Sequence, residues 1–370
     1  MDPRRQHAIL LLSVLAALGA CGGPTSRTGD DAGTGAGSGG GTSGGAGGGG
    51  AQGSGWLEVR GNHILLGGQP WHGRGANFHD TRSCNACSYQ APDVAEVKRR
   101  VDLLVDGWKA NFIRLDLESY ASPDDGYGGT RVHWKGVLDD PGYLADIQAI
   151  VDHVASKPGV YVLLALWVDP TFTALGWPSA STLPEWTRLA ETFLYQPRVL
   201  FGLCNEPQSN FDGKQDAQAW DAMQKAVAAV RSVEDAAGTP HHVITVQGTG
   251  GWARYLDYYA SHPIPGDRIA YEVHVYNGQT DFGWLFEEPA ATLPVVIGEF
   301  GPADGYMTTD DAAALTVRAR ALEIPHLAWT FHQRCPPNLL VETGGGCGVG
   351  MPLEPTAWGI QLRDDLARPW

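Results

Sequence analysis

Two carboxylates stand where apolar runs break. VLFGLCNEPQ (199–208) is apolar until Asn205, Glu206 and Pro207, and LPVVIGEFG (293–301) delivers Glu299 in the same way. Near-continuous apolar runs read as strands buried on both faces. A carboxylate at the tip of such a strand is held where it can meet a ligand. Two carboxyl groups facing each other across ~5 Å suit retaining glycoside cleavage. One, neutral, protonates the leaving oxygen, and the other, ionised, attacks the anomeric carbon. Mutual repulsion in unequal surroundings separates the pair into those roles. In the alternative, Glu206 is a strand-end residue before a helix-starting proline and Glu299 is an ion-pair partner of Arg114.

The elements around them must bring the two groups together. From Trp56 onward, WLEVRGNHILLGG gives two short strands about a Gly61-Asn62 turn. Candidate strands then follow at 71–78, 111–117, 160–168, 199–205, 242–248, 269–276, 294–300 and 326–332. Amphipathic stretches such as 94–108, 216–236 and 310–322 separate them. Eight strands alternating with helices predict a (β/α)8 TIM barrel with a short N-terminal β-hairpin. An open doubly wound sheet is the alternative, weakened because no Gly-rich phosphate loop follows the first strand. In a barrel, sites form at the C-terminal strand ends. Glu206 closes the fourth strand and Glu299 the seventh, 93 residues apart, which is 31 per βα unit. A barrel of ~250 residues has about that spacing. Both side chains should reach one mouth.

These motifs together resemble glycoside hydrolase family 5, the cellulase-type barrels. Asn205-Glu206-Pro207 is similar to the family's acid/base motif, and Ile297-Gly298-Glu299-Phe300-Gly301 to its nucleophile motif. His274-Val275-Tyr276 matches the strand-six pair, Asn111-Phe112-Ile113-Arg114 the strand-two arginine, Gly75-Ala76-Asn77 the first strand, and Trp329 the strand-eight tryptophan. The resemblance runs from about residue 56 to the C-terminus. It implies that Arg114 and Tyr276 keep Glu299 charged and oriented, and that His274 faces the acid/base side. It also implies that Asn205 bonds the sugar 2-hydroxyl and that Trp329 floors a sugar subsite. The pattern departs at the third strand, where LLALWVDP puts Trp167 near the usual histidine, with Asp169 beyond. Some mannan-cleaving relatives also carry tryptophan there, so this departure bears on substrate class.

Each residue has a plainer reading beside the functional one. Asn205 could cap a following helix. His274, Tyr276 and Trp329 could be core residues. Trp134, Trp167, Trp177, Trp252 and Trp284 fall in loops or loop ends, where aromatic faces suit a glycan and ordinary packing is the rival. His79, past the first strand, is a candidate cleft residue. His241-His242 opens the fifth strand at the opposite end and reads as structural. The loop SPDDGYGG (122–129) reads as a solvated turn rather than a calcium site. Cys84 and Cys87 follow strand one, and Cys335 and Cys347 follow strand eight. They are disulfide candidates within or across the two loops, with a zinc site the rival. Cys204 reads as a lone buried thiol. The chemistry needs no metal or cofactor.

The remainder of the chain sets its surroundings. A net charge of −15 argues against nucleic acid, which needs clustered Lys and Arg. Hydrophobic residues at 43% of the 370 suffice for a large core. Residues 1–21 combine Arg4 and Arg5 with a short apolar run and LGAC, which resembles the lipobox of bacterial lipoproteins with Cys21 lipidated. A plain secretory signal is the rival. The lipoprotein resemblance implies, from Gly22 after Cys21, the outer membrane over the inner. Residues 22–55 are a Gly/Ser-rich tether, and 56–370 the barrel. The expectation is a secreted or surface-anchored monomer acting on polysaccharide, first as an endo-β-1,4-glucanase, with endo-β-1,4-mannanase second. A non-catalytic glycan-binding barrel is the alternative from another class.

Overall fold

The structure is a computed structural model that describes residues 55–82, 93–117, 136–166, 176–342 and 349–370. Cys21, Cys84, Cys87, Trp134, Trp167, Asp169, Cys347 and the 122–129 loop lie outside these residues.

Three short antiparallel strands come first: β1 (Leu57–Arg60), β2 (His63–Leu66) and β3 (Gln69–Pro70). The last of these extends the expected hairpin. Eight parallel strands then close a barrel: β4 (Arg74–His79), β5 (Phe112–Leu117), β6 (Tyr161–Leu166), β7 (Val199–Gly202), β8 (Ile244–Gln247), β9 (Ile269–Val275), β10 (Val295–Phe300) and β11 (His326–Ala328). Adjacent strands pair in chain order, and β11 closes on β4. The larger connecting helices are α1 (Val94–Asp102), α2 (Pro141–Ser156), α3 (Thr182–Phe193), α4 (Asp216–Ala237), α6 (Thr309–Ala321) and α7 (Ala357–Leu366), with a short α5 at Asp257–Ser261. Their starts are encoded locally. Asp93, Asp140 and Thr356 accept backbone N–H groups of the first turn, and Thr308 forms a capping box with Asp311.

Strand alternation divides the barrel into two environments. On β5, Ile113, Leu115 and Leu117 join the apolar layer beneath the helices, together with Val97, Ile147 and Val151. The alternate residues Phe112, Arg114 and Asp116 occupy the barrel interior. At the N-terminal end that interior is apolar. Phe112, Tyr161, Leu200, Val296 and Leu327 pack there against Leu57, Ile64 and Trp71 of the N-terminal sheet, which plugs the bottom. The Trp71 ring lies edge-on to Phe112 and Tyr161 at 4.8 and 5.2 Å. Further up, the same interior positions carry Asn77, Arg114, Asp116, Gln247, Glu272 and His274, all fully buried. The polar layer therefore begins halfway up the barrel and opens at the C-terminal mouth.

Several expected boundaries shift. The fourth barrel strand ends at Gly202 rather than residue 205, and the eighth at Ala328 rather than residue 332. The first barrel strand starts at Arg74 and runs to His79. The helix expected over 94–108 is α-helical to Asp102 and continues as a π turn over Leu103–Gly107. No helix starts at Pro207. The next helix begins at Asp216, so Asn205 is not a helix cap.

Candidate active site

Glu299 leaves β10 at the mouth with only 6% of its side chain exposed. It accepts from Arg114 Nη1 at 3.0 Å and from the Tyr276 hydroxyl at 2.8 Å. Arg114 is placed by its own ring of acceptors. Nη1 also donates to Asn77 Oδ1 (2.8 Å) and Asp116 Oδ1 (2.7 Å), and Nη2 donates to Asn205 Oδ1 (2.7 Å). Its Nε lies 3.1 Å from Glu272 Oε1. Asn77 spends its amide donor on Gly298 O and Ala328 O, so it ties β4 to its neighbour β11 and, beyond that, to the nucleophile strand β10.

Glu206 reaches the same mouth differently. It lies beyond the end of β7 with φ of +52°, in the left-handed region. A non-glycine residue there costs on the order of 1–3 kcal/mol, and such strain concentrates at functional sites. The Gln247 side-chain oxygen accepts the Glu206 backbone N–H. His274 Nδ1 lies 2.9 Å from Glu206 Oε1. Carboxylate oxygens of Glu206 and Glu299 and a ring nitrogen of His274 all fall within 4.8 Å of one another. The two acids that are 93 residues apart in sequence thus meet across one small space.

The electrostatics follow from burial. His274 has carboxylates on three sides: Glu206, Glu272 at 3.2 Å and Glu299 at 3.5 Å. Burial alone would lower its pKa, but the three anions together raise it to about 9. Charged in this way, the ring can donate from both nitrogens to the carboxylates around it. Glu272 is brought down to about 2, because Arg114 and His274 outweigh its desolvation. Desolvation lifts Asp116 well above the carboxylate range, and its Oδ2 has no hydrogen-bond partner. Burial lifts Glu299 as well, with Glu206 adding to the rise, while His274, Arg114 and Tyr276 oppose it. Arg114 and Tyr276 both donate to Glu299, and these two bonds favour its ionised form.

A stability signature follows. The folded pKa of His274 is raised from 6.5 to about 9, so its charge stabilises the fold fully below 6.5 and progressively less as pH rises through 9. The contribution of Glu272, whose folded pKa is lowered from 4.5 to about 2, is complete above 4.5 and is lost as pH falls toward 2. The difference in urea midpoint between wild type and His274→Gln is therefore expected to be greatest between pH 4.5 and 6.5 and to shrink by pH 9. A difference that does not vary with pH would contradict the charged state.

Other expected site residues fall in mixed places. Trp329 follows β11 directly, 7% exposed, beside Cys335 and Tyr276, and its carbonyl accepts from Trp358 Nε1. His79 is not an open cleft residue. It is 4% exposed, lies edge-on to Trp329 at 5.4 Å, and burial lowers it to about 3. Trp177 belongs to the apolar core and Trp284 packs against it. His242 is structural, buried between Glu234 and the Gln196 carbonyl. Cys204 is free and buried, its thiol 3.8 Å from Met223 Sδ. Cys335 is disulfide-bonded, and its partner lies outside the described residues. Three residues of the site were not anticipated from sequence: Asp116, Gln247 and Glu272. The available signal was period-two alternation, since Glu272, His274 and Tyr276 share one face of a strand, as do Arg114 and Asp116.

The chain is 26% identical over 185 residues to an endoglucanase of Halalkalibacter akibai, covering 47% of this chain and 21% of that protein. It is 29% identical over 96 residues to endoglucanase C of Evansella cellulosilytica, covering 24% of this chain and 12% of that one. It thus spans about a fifth or less of the length of these curated relatives. Among solved structures, the fold matches cellulase Cel5C_n with a TM-score of 0.66 at 24% identity, covering 86% of this chain and 93% of that one. The catalytic domain of Thermobifida fusca endoglucanase Cel5A, solved with cellotetraose, matches at 0.63 and 19% identity, covering 85% and 98%. A mannanase catalytic domain from Streptomyces sp. SirexAA-E matches at 0.58 and 19%, covering 84% and 90%. At these identities the structural likeness speaks for the fold. The family model for cellulase (glycosyl hydrolase family 5) matches residues 71–334, a span that holds both carboxylates and every group that positions them, and the chain belongs to glycoside hydrolase family 5.

Proposed function

We propose that this protein is a retaining glycoside hydrolase that cuts β-1,4-linked glucan within the chain. The observation that carries the reading is the approach of the Glu206 and Glu299 carboxylates to within 4.8 Å. That spacing matches double displacement, whereas inversion needs ~6.5–9.5 Å to admit a water between the groups. Glu299 attacks the anomeric carbon while Glu206 protonates the departing oxygen. The ester on Glu299 then cancels one negative charge, so Glu206 can carry one and take a proton from the incoming water. Attack by that water releases the sugar with its original configuration. Asn205, oriented by Arg114, stands between the two arms, where it can bond a hydroxyl of the cleaved sugar.

The glucan assignment rests on the names carried by the relatives and on the cellotetraose bound in one structural neighbour. The mannanase neighbour keeps β-mannan as the other arm of the test. Reducing ends and viscosity are to be measured together on soluble β-1,4-glucan and β-1,4-mannan. Rapid loss of glucan viscosity with few reducing ends is the expected result. Cleavage of mannan alone would reassign the substrate, and binding of either polymer without product would make the protein a glycan-binding barrel.

A further inference from the structure

Glu272 takes no part in the two-carboxylate chemistry, yet it is fully buried in the middle of the site. Four groups surround it. Thr245 Oγ1 donates to Oε2 at 2.6 Å and Gln247 Nε2 donates to Oε1 at 2.9 Å. His274 Nε2 and Arg114 Nε lie 3.2 and 3.1 Å from Oε1. The backbone of β10 closes on it as well. A Cβ on Gly298 would stand 2.2 Å from Glu272 Oε1, so only glycine leaves room for this carboxylate.

Three of those four groups are the ones that hold the catalytic acids. His274 bonds the Glu206 carboxyl, Gln247 accepts the Glu206 backbone N–H, and Arg114 donates to Glu299. The Gln247 amide has one orientation that serves both Glu272 and the Glu206 backbone. Glu272 can only accept, so Nε2 must face it, and that turns Oε1 toward the strained Glu206 backbone. We propose that Glu272 is the positioning residue of this site, with Gln247 its arm to Glu206: it fixes the acid/base arm and the nucleophile arm against each other. A buried anion with this many donors is a rigid joint, because each donor that swings away leaves a charge unsolvated.

The inference rests on the glycosidase reading for its kinetic test and stands without it for its spectroscopic one. Aryl β-cellobiosides and aryl β-mannobiosides with a poor (phenyl) and a good (2,4-dinitrophenyl) leaving group separate the two arms, since a good leaving group needs no proton. General acids contribute ~10²–10⁴-fold, so Gln247→Ala, which loosens only the acid arm, is expected to slow phenyl glycosides about tenfold or more. Dinitrophenyl glycosides should slow about threefold or less on the same grounds. Equal losses on both, or none, would overturn Gln247's role.

Glu272→Gln is expected to slow both substrates, because it loosens both arms. In the same variant the His274 ring, followed by NMR, is expected to titrate about one unit lower or more, since an opposite charge within bonding distance has been removed. Glu206, Glu299, Arg114 and Asp116, the other charged groups around that ring, are unaltered. An unmoved His274 midpoint would overturn the proposal for Glu272. If wild type cleaves no aryl glycoside, the glycosidase reading fails, and the His274 titration alone decides the positioning role.

Discussion

Glu299→Gln is expected to lower kcat on soluble glucan by ~10⁴-fold or more, the scale seen when a covalent nucleophile is removed elsewhere. The replacement keeps the size of the side chain and an oxygen for Arg114 Nη1 to bond, so the barrel should fold and bind substrate. It removes the negative charge that makes the carboxylate oxygen a nucleophile. Intact mass after treatment with a 2-fluoro glycoside gives the direct reading. Wild type should gain one glycosyl unit on Glu299, and the variant none. A variant that turns over like wild type, or a label on another residue, would end the nucleophile assignment.

The same residue sets an acid limit. Burial and the nearby Glu206 raise the Glu299 pKa above 4.5. Attack needs the ionised form, so activity falls as pH drops through that raised value. The acid limb of kcat/KM is expected above 4.5, higher than for an ordinary carboxylate. An acid limb below it would mean that Arg114, His274 and Tyr276 outweigh burial.

Much of this site was legible from sequence for a geometric reason. Parallel strands of similar length at regular spacing converge their C-terminal ends, so Glu206 and Glu299 could be placed in one mouth by counting residues. The resemblance of Asn111-Phe112-Ile113-Arg114 to the family's strand-two arginine implied a partner for Glu299, and Arg114 donates to it. What stayed hidden depended on local backbone shape and on charge inside strands. Glu206 hangs on a turn beyond β7 with a left-handed φ, which a glutamate does not advertise. Read in sequence, Glu272 sits in IAYEVHVY as the one carboxylate in a largely apolar strand. Its meaning appears only when Arg114 of β5, Thr245 and Gln247 of β8 and His274 of β9 surround it. The tryptophans carried two readings that sequence alone did not separate. A large ring near a loop suggests a sugar platform, yet Trp177 fills core space, because burial of aromatic area stabilises a barrel as readily as it binds a ligand.

Glu206→Ala should fail in a different way from Glu299→Gln, and the contrast identifies the acid. Without Glu206 the natural leaving oxygen departs unprotonated, so hydrolysis of glucan is expected to fall ~10²–10⁴-fold. An aryl glycoside with a dinitrophenyl leaving group escapes that step and should still load the enzyme. The loss then moves to the second half of the reaction, where no base activates water, and the glycosyl ester on Glu299 accumulates. Azide needs no base. It can enter the space left by the missing carboxylate, beside His274, and should restore turnover and yield the β-glycosyl azide. That product carries the original configuration because two inversions have occurred at one carbon, and it requires Glu299 to have been bound covalently. An α-azide would instead mean that azide attacked the substrate directly, a single displacement, and Glu299 would lose its role as nucleophile. Failure of azide to accelerate the variant would mean that Glu206 is not the group whose place azide takes.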